Sequence, residues 1–339
     1  MGKSIRVAAA ACWLALLLAL PVRAAGPEAL VPVGKTVGLE LETDGLYVAA
    51  LEDDSPAGAA GLRVGDRLLR ADGRALDQVE ALREQLEQAC GGAVIVEAER
   101  DGRPLQFAVR PQLRDGIWRL GLRVRDRIGG LGTLTFYDPA SGLFGALGHG
   151  VSAGEGCLME IRGGQASETE VREVRQGRAG TPGSLLGPTG GGTALGRVEL
   201  NTERGLFGHA EKQASGNGSP FAGTALPLAD RSEVRTGPAE ILCCVEGSAP
   251  TRYSVEIEAV RLDAARCRDL RLLVTDSRLL ARTGGIVQGM SGSPILQNGK
   301  LVGAVTHVLV RDPTRGYGIL IGHMLEAAED RTATEDRAA

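Results

Sequence analysis

The chain has 339 residues, of which 43% are hydrophobic, 24% charged and only 3% aromatic, with 49 glycines and a formal net charge of −4. This composition excludes disorder, collagen-like repeats and coiled coils, and the weak acidity leaves no basic footprint for nucleic acid. At about 150 residues per domain two domains are expected, and so much glycine argues for many turns rather than an all-helical chain.

The first residues have the pattern of an export signal. Lys3 and Arg6 form a basic start, Val7 to Val22 is uncharged and apolar, and Val22-Arg23-Ala24 ends in small-residue cleavage style. Residues 1–24 are therefore expected to be removed, or to persist as a weak membrane anchor, since the run is short of the roughly 20 residues that span a bilayer. Either outcome places the remainder outside the cytoplasm. The six cysteines, Cys12, Cys90, Cys157, Cys243, Cys244 and Cys267, lack any C-x-x-C spacing, so neither a metal site nor a disulfide framework is expected.

Residues 36–111 form one coherent block. Val37-Gly-Leu-Glu-Leu-Glu42 alternates, an Asp44-Gly45 turn follows, and Gly45-Leu-Tyr-Val48 begins a second strand. Ser55-Pro56 opens a short helix, Arg67-Leu-Leu-Arg-Ala71 is a strand before the Asp72-Gly73 turn, and Leu76, Val79, Leu82 and Leu86 give one apolar helical face with Asp77 and Glu80 as its capping pair. Two strands around Asp101-Gly102 close the block. With Ser55-Pro56, Gly61-Leu62, Gly65-Asp66 and Asp72-Gly73 in this order, the block resembles a PDZ domain of the circularly shifted bacterial type. The resemblance implies a strand edge beside the helix where a peptide adds as an extra strand, with Gly45, Leu46, Tyr47 and Val48 holding its end.

Pro111 to Arg127 reads as a polar, Arg-rich connection. Beyond it, short β-like runs recur at Thr133–Tyr137, Arg197–Leu200, Arg252–Val260, Leu270–Thr275 and Leu301–Val310, punctuated by glycine-rich loops at 187–193 and 215–220. The pattern suggests a β barrel or sandwich over 128–329, followed by a frayed tail at 330–339. The fold class expected is mainly β with a small α+β module.

The chemistry concentrates in Gly289-Met-Ser-Gly-Ser-Pro294 and Leu147-Gly-His-Gly150. A serine bracketed by glycines can sit on a tight loop whose amides converge, making Ser291 a nucleophile and the Gly289 and Ser291 amides an oxyanion hole. A serine hydroxyl needs a neighbouring base, and His149 is the natural one among four histidines. The order His then Ser is that of chymotrypsin-like double barrels rather than α/β-hydrolases. Asp230, Asp263, Asp269 and Asp276 all lie between base and nucleophile as candidate orienting acids, and spacing does not choose among them. His307 stands where such enzymes build the wall of the specificity pocket, but a plain sheet-surface role is the reading preferred for it; His209 and His323 read as surface residues.

The second half, with Gly130-Leu-Gly-Thr-Leu-Thr-Phe-Tyr-Asp-Pro139, Phe144-Gly-Ala-Leu-Gly-His-Gly150, Gly180-Thr-Pro-Gly183, Asn201-Thr-Glu-Arg-Gly-Leu-Phe-Gly208 and Thr283-Gly-Gly-Ile-Val-Gln-Gly-Met-Ser-Gly-Ser-Pro294, resembles the SpoIVB peptidase family, as do Leu30-Val-Pro-Val-Gly-Lys-Thr-Val-Gly38 and the PDZ-like block. The resemblance implies a PDZ domain followed by a chymotrypsin-like double β-barrel serine endopeptidase needing no cofactor, with His149 as base, Ser291 as nucleophile and Asp276 as orienting acid, Asp230 held in reserve. It also implies sporulation signalling in the space between the forespore membranes, through cleavage of the protein itself and of a membrane-protein regulator of an intramembrane protease. A non-catalytic peptide-binding scaffold and an HtrA-like quality-control protease are the alternatives; in the latter the PDZ domain follows the barrel, whereas here it precedes it.

Overall fold

Two strands of unusual length organise the molecule. The computed structural model describes residues 26–152, 158–211, 221, 223–261 and 267–335, with side chains as far as 329. The expected signal segment, Cys157, Asp263 and the loop 215–220 lie outside the described residues.

In chain order, β1 (Thr36–Leu51) leads through a helical turn at Pro56–Ala59 to β2 (Arg67–Ala71), helix α1 (Val79–Ala89) and the hairpin β3 (Val94–Arg100) and β4 (Arg103–Val109). A short hairpin, Gln112–Arg114 with Ile117–Arg119, precedes β5 (Leu122–Tyr137), β6 (Leu143–Ala146), β7 (Ile161–Glu168), β8 (Ala194–Thr202) and β9 (Gly205–Ala210). The last part holds β10 (Gly237–Cys243), β11 (Thr251–Val260), β12 (Leu270–Val274), α2 (Ser277–Thr283), β13 (Pro294–Gln297), β14 (Lys300–Val308), β15 (Arg315–Leu320) and α3 (Ile321–Glu335).

Antiparallel pairing β5–β6–β9–β8–β7–β1 is closed by β1 against β5, giving a first barrel. Strands β10–β11–β12–β15–β14–β13 close a second. Closure pairs most of the strand edges, the edge of β5 before Leu134 excepted. Val37, Leu39, Leu134, Phe144, Val198 and Leu206 fill the first barrel, and Ile241, Ile257, Leu272, Val287, Ile295 and Val305 the second. Phe136 and Phe207 of the first barrel pack with Ala304 and Ile319 of the second and with Met324 of α3, joining the barrels into one body. The mainly β, double-barrel fold anticipated from the chain is thus present.

The α+β block is joined to the barrel through shared strands. The first half of β1 pairs with β7 and β5 inside the barrel, while Leu46–Tyr47 pair with β2 and Tyr47–Leu51 with Leu122–Arg125. The block therefore leaves the first barrel along β1 and returns along β5. Its own core is built from Leu46, Leu62, Leu68, Leu76, Leu82, Leu86 and Val96. The stretch read as an Arg-rich connection contains a hairpin and the first turnless half of β5: Leu122, Val124 and Asp126 are half-buried while Arg123, Arg125 and Arg127 are exposed, a two-residue period carried by arginine. Helix α1 starts at Val79, with Gln78 as N-cap and no side-chain cap, so the Asp77–Glu80 capping pair does not form. Helix α3 runs on to Glu335, through the first half of the expected tail.

Candidate active site

Ser291 is set by its neighbours on both barrels. Gly289 and Gly292 have φ of +98° and +96°, conformations that side chains rarely adopt, and between them the chain turns sharply before β13. Ser293 Oγ donates to Met290 O (2.7 Å) and Gly292 N to Val305 O (2.8 Å), tying the loop to the second barrel. Thr133 of β5 ties it to the first: its Oγ1 donates to Gly289 O (2.7 Å) and its N to Ser291 O (2.9 Å). A methyl group on Gly292 would lie 1.9 Å from Thr133 O, so glycine here is what allows the loop to touch the other barrel. Asn298-Gly299 turns β13 into β14 with both φ positive, the two-residue hairpin expected of that pair.

His149 comes from the opposite side of the interface. Leu147 and Gly148, with φ of +66° and +68°, swing the chain out of β6. Gly148 packs against Thr306, Ala304 and Ile319, while Gly150 sits against Leu158 and the Thr202 carbonyl. These glycines permit close approach; the ring itself is half-buried. Asn201 holds the following segment, its side-chain oxygen accepting from Val151 N and its amide donating to Val151 O and Met159 O. That explains the Asn in the Asn201-Thr-Glu-Arg stretch.

Both side chains line one apolar cleft of about 470 Å³, together with Leu39, Leu131, Ile286, Val287 and His307. The Nδ1 atom of His149 lies 2.9 Å from the Gly150 carbonyl, which can only accept, so Nδ1 carries the proton and Nε2 keeps its lone pair. Burial lowers the pKa of His149, the Gly150 bond opposing it in part, and the ring is neutral at pH 7. The Ser291 hydroxyl donates to Thr306 O at 2.7 Å. The His307 ring lies 4.9 Å from that of His149, centroid to centroid, and is depressed to about 4 by burial first, then by His149 and Arg268. It lines the cleft and is half-buried, rather than lying on the sheet surface. The amides of Gly289 and Ser291 donate to no acceptor among the described residues, leaving them available to an oxyanion.

The structure does not bring Asp276 to this constellation. Its carboxylate caps α2, accepting from the Arg278 and Leu279 amides, and also accepts from Ser254 N and the Arg278 guanidinium. Bonding to Arg278 and these amides holds it well below the usual carboxylate range. An Asp one residue before Ser-Arg-Leu-Leu is a helix start, a signal that outweighs its distance of 15 residues from the serine. Asp230 is exposed and bonded to Ser232. Asp269 is fully buried, accepting from Leu320 N and paired with His323, which is half-buried rather than on the surface. His209 is exposed beside Glu199. The partner of His149 Nδ1 is thus a backbone carbonyl, which residue type alone could not reveal.

Gly45, Leu46, Tyr47 and Val48 are also placed differently from expectation. All four are buried in the sheet between β2 and β5, and Tyr47 Oη accepts from Glu160 N. The open groove beside α1 is instead lined by Val79, Leu82 and Leu86 on the helix and by Trp118 and Leu120-Gly-Leu-Arg-Val124 on the other wall, with a volume of about 600 Å³. The substitution of strands follows from the barrel, which claims the first half of β1.

The model of the SpoIVB peptidase S55 family matches residues 116–325, and a PDZ domain model matches 36–110. The chain belongs to the SpoIVB peptidase family. It is therefore a PDZ-containing serine peptidase, as the chain had suggested, and a peptide or protein is its substrate. Among solved structures it is similar to the PDZ domain of an SdrC-like protein from Listeria monocytogenes, with 23% identity over 24% of this chain and 90% of that one and a TM-score of 0.23. No curated protein matches the chain significantly.

Proposed function

We propose that this chain is an exported serine endopeptidase in which Ser291 is the nucleophile and His149 the general base, and that it acts in sporulation signalling by cutting itself and a membrane-bound regulator of an intramembrane protease. The observation that carries the catalytic part is the meeting of His149, Ser291 and two uncommitted amides in one cleft between the barrels. The signalling part rests on family membership and on the export pattern of residues 1–24. Among the described residues no helix is long and apolar enough to cross a membrane.

In the reaction the Ser291 hydroxyl gives up its bond to the Thr306 carbonyl and turns to His149 Nε2. His149 takes its proton as Oγ attacks the scissile carbonyl, and the charge on that oxygen is met by the Gly289 and Ser291 amides. The imidazolium returns the proton to the leaving amine, and water then releases the acyl group by the same steps in reverse. Gly150 O fixes the tautomer of His149, but a neutral carbonyl stabilises the imidazolium less than a carboxylate would. The Ser291→Ala protein should fold normally, lose labelling by a fluorophosphonate probe and retain an uncut N-terminus on sequencing. Labelling or processing equal to wild type would leave the peptide-binding scaffold as the better reading.

A further inference from the structure

Strand β5 is paired unevenly. Against one edge it carries β1 from Leu122 to Thr133, but β6 covers the other edge only from Leu134 to Tyr137. At Thr133 the amide donates to Ser291 O and the carbonyl accepts from Leu147 N, so both groups point to this second edge, beside the nucleophile. Backbone groups alternate along a strand, so those of Leu131, Gly129 and Arg127 face the same way, and among the described residues no strand pairs with them. The same strand continues to the groove against α1, bridged to the helix start by the bond from the Val79 amide to Asp126 and lined by Leu120-Gly-Leu122, Trp118, Leu82 and Leu86.

We infer that the cleft and the α1 groove are two ends of one track, and that the preferred substrate is a polypeptide whose free, apolar C-terminus lies about ten residues beyond the bond to be cut. The inference rests on the peptidase reading above. A chain entering at Ser291 with its C-terminal side along Leu131 runs antiparallel to β5, pairing residue for residue. At about 3.3 Å per residue, Leu131 to Leu122 spans about 30 Å, and a segment of about ten residues reaches the groove. Its terminal side chain then enters between Leu82, Leu86 and Trp118. Charge adds a second requirement. Arg123, Arg125 and Arg127 are exposed on one face of β5, and among the described residues only Arg127 has an acidic neighbour in ion-pair range, Glu42 at 3.3 Å. Arg83 stands across the groove, Glu52 and Glu87 line its rim, and Asp126 turns to the Val79 amide. Alternate positions of the bound segment meet the three arginines, so acidic residues are favoured at every second position there.

The test uses the full chain and quenched-fluorescence peptides sharing one cleavage sequence, with four or ten residues between it and a C-terminal leucine, the spacer carrying glutamate at alternate positions. The ten-residue form should show kcat/KM about tenfold above the four-residue form, and a C-terminal amide should remove that gain. In Ser291→Ala protein, anisotropy should give the whole peptide about tenfold tighter binding than its last eight residues alone. Arg123→Glu with Arg125→Glu should weaken the glutamate peptide and strengthen its lysine counterpart. Equal cleavage of both lengths together with equal binding of whole and half peptides overturns the track while leaving the peptidase intact. Binding as expected with no cleavage or probe labelling by the wild type supports the track and refutes the peptidase reading.

Discussion

Replacing Gly292 by alanine separates backbone strain from contact between the barrels. The added carbon would lie 1.9 Å from Thr133 O and 2.6 Å from Leu147 N, both backbone atoms of the first barrel. An ordinary carbon–oxygen approach is about 3.3 Å, so the barrels must part by about 1.4 Å at the place where nucleophile and base meet. Displacement of about 1 Å costs on the order of 100-fold in rate when reacting groups must be aligned, and the φ of +96° adds about 1–2 kcal/mol of strain to the folded state. Gly299→Ala is the matched control: its φ is +76°, but nothing lies within 4 Å. Both variants should lose similar stability from strain in thermal unfolding, with Gly292→Ala losing more, while fluorophosphonate labelling falls about 100-fold in Gly292→Ala alone. Labelling of Gly292→Ala at the wild-type rate, or an equal fall in both, would refute the claim that this contact aligns the site.

Other outcomes follow from the same geometry. Asp276→Ala should cost about 1 kcal/mol through the lost helix cap yet leave kcat/KM within about threefold of wild type, against a loss of about 10⁴ if Asp276 orients the base. Labelling against pH should show its acid limb below the ordinary imidazole value, because burial lowers the His149 pKa and the base stays free to lower pH; a midpoint above 6.5 would contradict this. His307 gives a matching stability effect. Its folded value of about 4 lies below the unfolded 6.5, so the unfolded chain takes up protons first and stability is lost as pH falls from 6.5 to about 4. Thr133→Val should slow labelling by on the order of tenfold to 100-fold, as the Gly289 carbonyl loses its donor and the oxyanion amide its anchor.

How far the site could be read from the chain depended on whether a residue's role was local. The glycines around Ser291 announce a backbone that only glycine adopts, and Asn298-Gly299 announces its hairpin, so the nucleophile and its loop were legible. His149 was legible as the base because so few histidines compete, while the close packing of its flanking glycines was not. Asp276 misled because a carboxylate can cap a helix or orient an imidazole, and only the fold shows which atoms it reaches. The groove was misplaced for a topological reason: nothing in Val37 to Leu41 marks it as barrel wall, and arginines concealed the strand at Leu122–Ile128 that takes its place.

The way the α+β block interrupts the first barrel bears on what truncation and engineering can do. Cutting the chain after residue 111, to obtain the catalytic part alone, would discard a wall of the barrel and yield an open, unpaired sheet rather than an unregulated enzyme. Because Leu41 and Ile128 stand directly opposite each other with their backbone groups facing, a two-residue Asn-Gly splice between them is the excision that keeps the barrel closed. For the same reason a proteolytic nick between the two halves would not release the block, which stays stitched in by both strands.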